Sequence, residues 1–401
     1  MPKCSQCLGK ILGLLLLLDV PLQAAEFFPI RWLRENLELA KFFALYGEPE
    51  EKIRTLQEIL EIGSQAGNLS YIYWVHQRHK ETNIPISAQD ILNAWERLVS
   101  GGFDRVLIYM PHFNNILSLD ELQQRRFVDL ALEIGFPSTV MTLQRLGFTL
   151  SSEQQQALEE LKEALSRTVN ISPPIPINTH QDDTHGGRGN IKLYREEYQK
   201  AVAFALYRMQ HKPCDFHRLI ENLGHRRRHM AVLGKLSGVE MYGVATSYPI
   251  VTYFNPTYEK YGEKIREKYP QLPLLVTTHL NGREIYLTQI NEDSWVHPDG
   301  DYREEILNTV NALCQKVQTG FYPEEKTSEL AYDLGKIIWW LSHAPPFLRG
   351  TPTIIAILMD ALWIYHQRTP LIKSPDLNCE ALTFNEEEDF ARYLSQRPDL
   401  P

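Results

Sequence analysis

The sequence predicts an α+β fold in which helix dominates, and three observations carry that expectation. Apolar residues recur at helical spacing through the early and late parts of the chain, while strand-forming runs appear only after Gly238. The hydrophobic content of 43% is enough to fill real cores. The expected layout is an N-terminal helical domain, then a C-terminal domain with a small antiparallel β-hairpin or sheet inserted among helices.

Residues 1–25 read as a signal peptide. Lys3 and Lys10 give a positive start, Ile11 to Leu18 is an apolar run, and Leu22-Gln23-Ala24-Ala25 ends in small residues. Asp19 stops the run short of the roughly 20 residues that span a bilayer. A buried N-terminal helix is the alternative. Export implies a periplasmic or secreted protein, and no later stretch is long and apolar enough to span a membrane.

Residues 26–168 follow as a helical domain. Leu33, Leu37, Ala40 and Leu45 keep helical spacing, as do Ile53, Leu56, Ile59 and Leu60. Ser87 with Asp90 and Ser118 with Glu121 each place a hydroxyl three residues before an acid, a helix-start signal. Ser151-Ser152-Glu153 opens another helix, ending near Arg167. Phe103 to Met110 reads either as a short strand or as one turn of buried helix.

Residues 169–192 form a Pro/Gly-rich linker or loop, with Pro173, Pro174 and Pro176 before a glycine-rich half. Residues 193–370 are the α+β domain. A helix runs from Leu193 to about Met209. Strand character covers Val239 to Phe254, and Leu274 to Ile290 reads as a hairpin around a type I′ turn at Asn281-Gly282. Helices are expected from Tyr302 to Gln318, Pro323 to Ala344 and Pro352 to His366. Residues 371–401 read as an acidic tail, either a short terminal helix or a loose end.

The formal net charge is −9, and losing Lys3, Lys10 and Asp19 with the signal would make it −10. That balance argues against a general nucleic-acid coat, which needs many cationic phosphate contacts. Of five cysteines, Cys4 and Cys7 would leave with the signal. Cys214, Cys314 and Cys379 would remain, too few and too scattered for a disulfide framework.

The first candidate site is His343 to Thr353. Pro345-Pro346 must end the preceding helix, and Thr351 with Pro352 suits the N-cap and first position of the next. Free amides, the positive helix end and the Arg349 guanidinium then converge on one point, which suits an anion. His343 could face it as a general base. Here the chain resembles, over this short stretch, the Fic family, whose helix–loop–helix reads His-Pro-Phe, two residues, then Gly-Asn-Gly-Arg. The resemblance implies transfer of a phosphoryl or nucleotidyl group onto a protein hydroxyl, from a nucleotide with Mg²⁺. By that resemblance His343 is the base, Phe347 the loop anchor, and Arg349, Gly350 and Thr351 hold phosphate. His343 lies two residues further from Phe347 than in the family pattern, and Thr351-Pro352-Thr353 replaces Asn-Gly-Arg. The same residues also read as a plain helix–helix corner.

A second candidate is the loop from Thr179 to Asn190. His180, Asp182 and His185, with Asp183 between them, are metal-ligand types, and Gly186-Gly187-Arg188-Gly189 could wrap a phosphate. The alternative is a polar connection. The third is Gly224-His-Arg-Arg-Arg-His229, which could grip a phosphorylated ligand or an anionic surface, or be a solvated helix end. Three functions follow: an exported, effector-like transferase with a protein target and a phosphate-containing ligand; a non-enzymatic protein-binding effector or adaptor on a helical scaffold; or a metal-dependent hydrolase.

Overall fold

Amphipathic helices of nine to twenty-one residues build most of the described structure and bury their apolar stripes in two hydrophobic clusters, the helix Ser152–Ser166 contributing to both. The structure, a computed structural model, describes residues 49–167, 191–211, 214–233, 242–245, 251–253, 275–280, 282–290, 294–298, 302–348, 350–368 and 377–397. The expected signal peptide, the helix around Leu33–Leu45, the metal-type loop with His180, Asp182 and His185, and Arg349 all lie outside the described residues.

The first cluster is made by α1 (Pro49–Gln65), α2 (Leu69–Thr82), α3 (Ala88–Ser100), α4 (Asp104–Leu107), α5 (Glu121–Ile134), α6 (Pro137–Arg145) and α7 (Ser152–Ser166). Leu56, Ile59 and Leu60 pack with Ile72, Trp95, Phe113 and Phe127 in its interior. Ser87 caps α3 in a reciprocal box with Asp90, as the spacing predicts. The start of α5 is different. Asp120, not Ser118, is the N-cap, and its box partner is Gln123. Of the two readings for Phe103–Met110, the helical turn is the one found, as α4 followed by a 3₁₀ turn at Met110–Phe113.

The second cluster gathers α8 (Ile191–His211), α9 (Phe216–Leu233), α10 (Arg303–Thr319), α11 (Thr327–His343), α12 (Thr351–Tyr365), α13 (Leu377–Ala381) and α14 (Glu387–Ser395). A small antiparallel sheet lies among them, in the order β1 (Val251–Tyr253), β4 (Ser294–Val296), β3 (Arg283–Ile290), β2 (Leu275–Leu280). The hairpin closes with Leu280 opposite Arg283, and Gly282 has the positive φ of 76° that its tight turn requires. Val276, Leu280, Ile285 and Leu287 turn inward from it. Strand β4 was not anticipated, because three residues carry too little periodicity to read.

Of the two readings of the acidic C-terminal segment, the short terminal helix is the one found over its described part, and it is packed rather than loose. Phe390 and Leu394 of α14 are buried, and Gly335 of α11 lies so close to Ala391 that a Cβ there would come within 2.7 Å of its Cα. Lys336 joins Glu388 at 2.9 Å and Glu387 at 3.3 Å, and Trp339 donates its Nε1–H to the Phe384 carbonyl at 2.9 Å. The carboxylates are therefore part of a helix–helix seam.

Candidate functional site

The corner between α11 and α12 is built as the prolines require, but its register and chemistry differ from expectation. Gly350, at φ 96°, is the N-cap of α12, so Thr351 stands at the first helical position and Pro352 at the second. No side chain caps this end. A Cβ on Gly350 would meet Arg227 Cγ at 2.7 Å and Tyr242 Cδ1 at 3.1 Å, so glycine is needed both for its φ and for this close approach. The Thr353 and Ile354 amides both donate back to the Gly350 carbonyl, at 3.1 and 3.2 Å. Phe347 is buried with its ring against Gly224 of α9. The Leu348 amide donates to Val244 O at 3.0 Å, pinning the corner to the 242–245 segment.

His343 is fully buried and does not face this corner. Its ring packs on Trp339 with centroids 4.6 Å apart. Nε2 lies 3.2 Å from the Ala381 carbonyl and Nδ1 2.7 Å from Thr288 Oγ1. Since a carbonyl only accepts, Nε2 carries the proton and Nδ1 accepts from threonine. The His343 carbonyl in turn accepts from His297 Nδ1 at 2.9 Å. Burial pushes the His343 pKa down to about 3, with His297 beside it adding to the shift. This neutral histidine ties β3 and the residue after β4 to α11 and α13. A general base must reach a substrate proton, and this ring is enclosed by its own core.

The arginine run is neither a solvated helix end nor a shared phosphate grip. Arg226, Arg227 and Arg228 lie within α9 and are only 3%, 5% and 6% exposed. Successive helical positions point about 100° apart at 3.6 residues per turn, and each guanidinium goes to a different neighbour. Arg226 donates to Gly135 O at 2.6 Å and Ile134 O at 3.4 Å, sits over the Phe136 and Phe204 rings, and lies 3.9 Å from Glu197. Arg228 donates to Tyr242 O at 2.9 Å and Gly243 O at 3.2 Å. Arg227 enters the α11–α12 corner, where its Nε donates to Thr353 Oγ1 at 3.2 Å. Its guanidinium lies 4.3 Å from the Tyr242 ring centre and 5.7 Å from that of Tyr194. Two candidate motifs more than a hundred residues apart thus meet. Sequence reasoning missed this, although Leu219, Ile220, Leu223 and Met230 on the same helix signal that α9 is buried.

A second feature escaped the sequence. Between α1, α2 and the turn at Tyr109 lies a groove of about 520 Å³, lined by Ile59, Leu69, Tyr71, Tyr73, Trp74 and Tyr109 among others. Tyr73 is 51% exposed and Leu69 43%. Asn68 accepts from the Ser70 and Tyr71 amides, so the start of α2 adds little free polarity. The Tyr109 hydroxyl is held 2.7 Å from His76 Nδ1. The run Tyr71-Ile72-Tyr73-Trp74 was the available signal. Among the described residues no group of three or more His, Cys, Asp or Glu could hold a metal, and no helix is long and apolar enough to cross a membrane.

No model of a known protein family matches the chain, and no curated protein matches it.

Proposed function

We propose that the protein is an exported, non-enzymatic effector or adaptor that engages a partner protein through the aromatic groove of its first core. The observation that carries this reading is the open cluster of Leu69, Tyr71, Tyr73, Trp74 and Tyr109, a concave site of ligand-pocket size lined by the residue types that anchor interfaces. Contiguous exposed apolar surface of this kind marks interaction sites. The occupant it suits is the apolar face of a partner's helix, read as anchors one turn apart. Transfer chemistry is less well supported, since the expected base His343 is enclosed and neutral. The export part rests on the charge, apolar and small-residue order of residues 1–25.

A photo-crosslinking side chain placed at Tyr73, and in parallel at Phe321, tests the reading in the native organism. Phe321 is 83% exposed and lies outside the groove, so it controls for general stickiness. The expected result is one discrete adduct from position 73, lost with Leu69→Asp and absent from position 321. Equal labelling from both positions, or none from 73, overturns the groove as a partner site.

A further inference from the structure

We propose that Arg227 and the first residue of α12 form an oxyanion site for the phosphate group of a small ligand. The site lies in the second core and is independent of the groove. Arg227 is held by its Nε bond to Thr353 and by the Tyr194 and Tyr242 rings, which leaves its Nη1 edge over. That Nη1 is buried and has no hydrogen-bond partner, and no carboxylate among the described residues pairs with the guanidinium. Ring faces compensate part of a buried cation's lost hydration, but N–H donors at its edge still call for an acceptor.

The neighbouring backbone supplies matching donors. Gly350 touches Arg227, and Thr351 follows it directly. Thr351 Oγ1 is buried without a partner. Pro352 has no N–H, and the Thr353 and Ile354 amides are turned onto Gly350 O, so the Thr351 amide is the donor left at this end of α12. An unpartnered guanidinium N–H, an unpartnered hydroxyl and an amide therefore all lie at the positive end of a 15-residue helix, a donor set that suits a tetrahedral oxyanion. The role expected of Arg349 is filled on this geometry by Arg227, which is supplied by α9.

Thermal unfolding of the full 401-residue chain in sodium phosphate, sodium acetate and sodium chloride at matched ionic strength tests the site. Phosphate should raise the midpoint by a few degrees over chloride, and acetate should not. Arg227→Met should abolish that difference. Because removing a buried arginine also perturbs folding, the deciding variant is Thr351→Val, which keeps side-chain shape and removes Oγ1. It should keep its chloride midpoint close to wild type and bind phosphate at least tenfold more weakly by calorimetry. Equal midpoints in all three salts overturn the proposal, as does a phosphate shift of full size in Thr351→Val. An acetate shift as large as the phosphate shift overturns the assigned ligand class.

Discussion

Single buried side chains in this protein keep their partners far away in sequence, and that is where pH should act. Burial pushes His343 down to about 3 and His297 down to about 4, and His225 is likewise lowered to about 3. In the unfolded chain each returns to the ordinary value near 6.5. Below pH 6.5 the unfolded state therefore binds more protons than the folded one, and stability falls as pH drops toward 4, by up to about 1.4 kcal/mol per pH unit for each histidine. Urea unfolding at pH 7.5, 6, 5 and 4.5 should show this slope, and His343→Asn should flatten it; an unchanged slope in that variant would show that His343 titrates normally. None of this was legible locally. The spacing shows only that His343 ends a helix, while Thr288 and Ala381, which enclose it, lie 55 and 38 residues away. The arginine run misled for the same reason, because its acceptors belong to other elements.

Helix ends and turns are the scale at which the sequence was most readable, and its errors there are instructive. Ser118/Glu121 and Asp120/Gln123 both satisfy the hydroxyl-or-acid, three-residue rule for a capping box. The structure takes the second, with Phe127, Val128, Ala131 and Ile134 of the helix that follows buried, and the local pattern alone does not choose between the two starts. Asp120→Ala should then cost about 1 kcal/mol in chemical unfolding, and Ser118→Ala close to nothing; equal effects would refute the assigned register. The one-residue shift at α12 has a different cause. Thr351 is a good cap by composition, but the chain takes a positive φ at Gly350 to let Arg227 approach. Gly350→Ala should lose about 1–2 kcal/mol through the left-handed backbone and the displaced arginine together, measurable in the same unfolding assay. The two hairpin strands were legible because their alternation is local, though not the register shift between Val276 and Thr277, whereas β4 is defined only by its pairing with β1 and β3.

Across the whole molecule, the two apolar clusters follow chain order, the first ending at Leu158 and the second starting at Leu161 of the same helix. Hydrophobic spacing does not show how the two are joined, since the joint mixes apolar contacts, with Leu132 packed against both clusters, and polar ones between residues far apart in sequence. Helix α9 belongs to the second cluster, yet it reaches the helix ends of the first. Asn222 donates to Glu133 O at 3.2 Å, Arg226 to Gly135 O at 2.6 Å, and His229 Nδ1 lies 3.0 Å from Gly101 O. These side chains cap α5 and α3, whose last carbonyls have no intrahelical partner. Arg218, also on α9, pairs with Glu133, but it is 45% exposed, and such a pair contributes at most about 1 kcal/mol. Arg226 is the member whose loss leaves the Gly135 and Ile134 carbonyls without their buried donor and leaves Glu197 with Lys200 as its remaining cation. Arg226→Met should therefore cost about 2–3 kcal/mol, the upper part of the range for leaving buried acceptors unsatisfied, while Arg218→Ala should cost under about 1 kcal/mol. Because Arg226 couples the cores rather than filling either, hydrogen exchange should localise its effect. Amides of α3, α5 and α6 should lose protection in Arg226→Met while those of α11 and α12 keep theirs. Uniform loss across both cores would mean that Arg226 supports the second core itself, and the joint would then have to be sought elsewhere on α9.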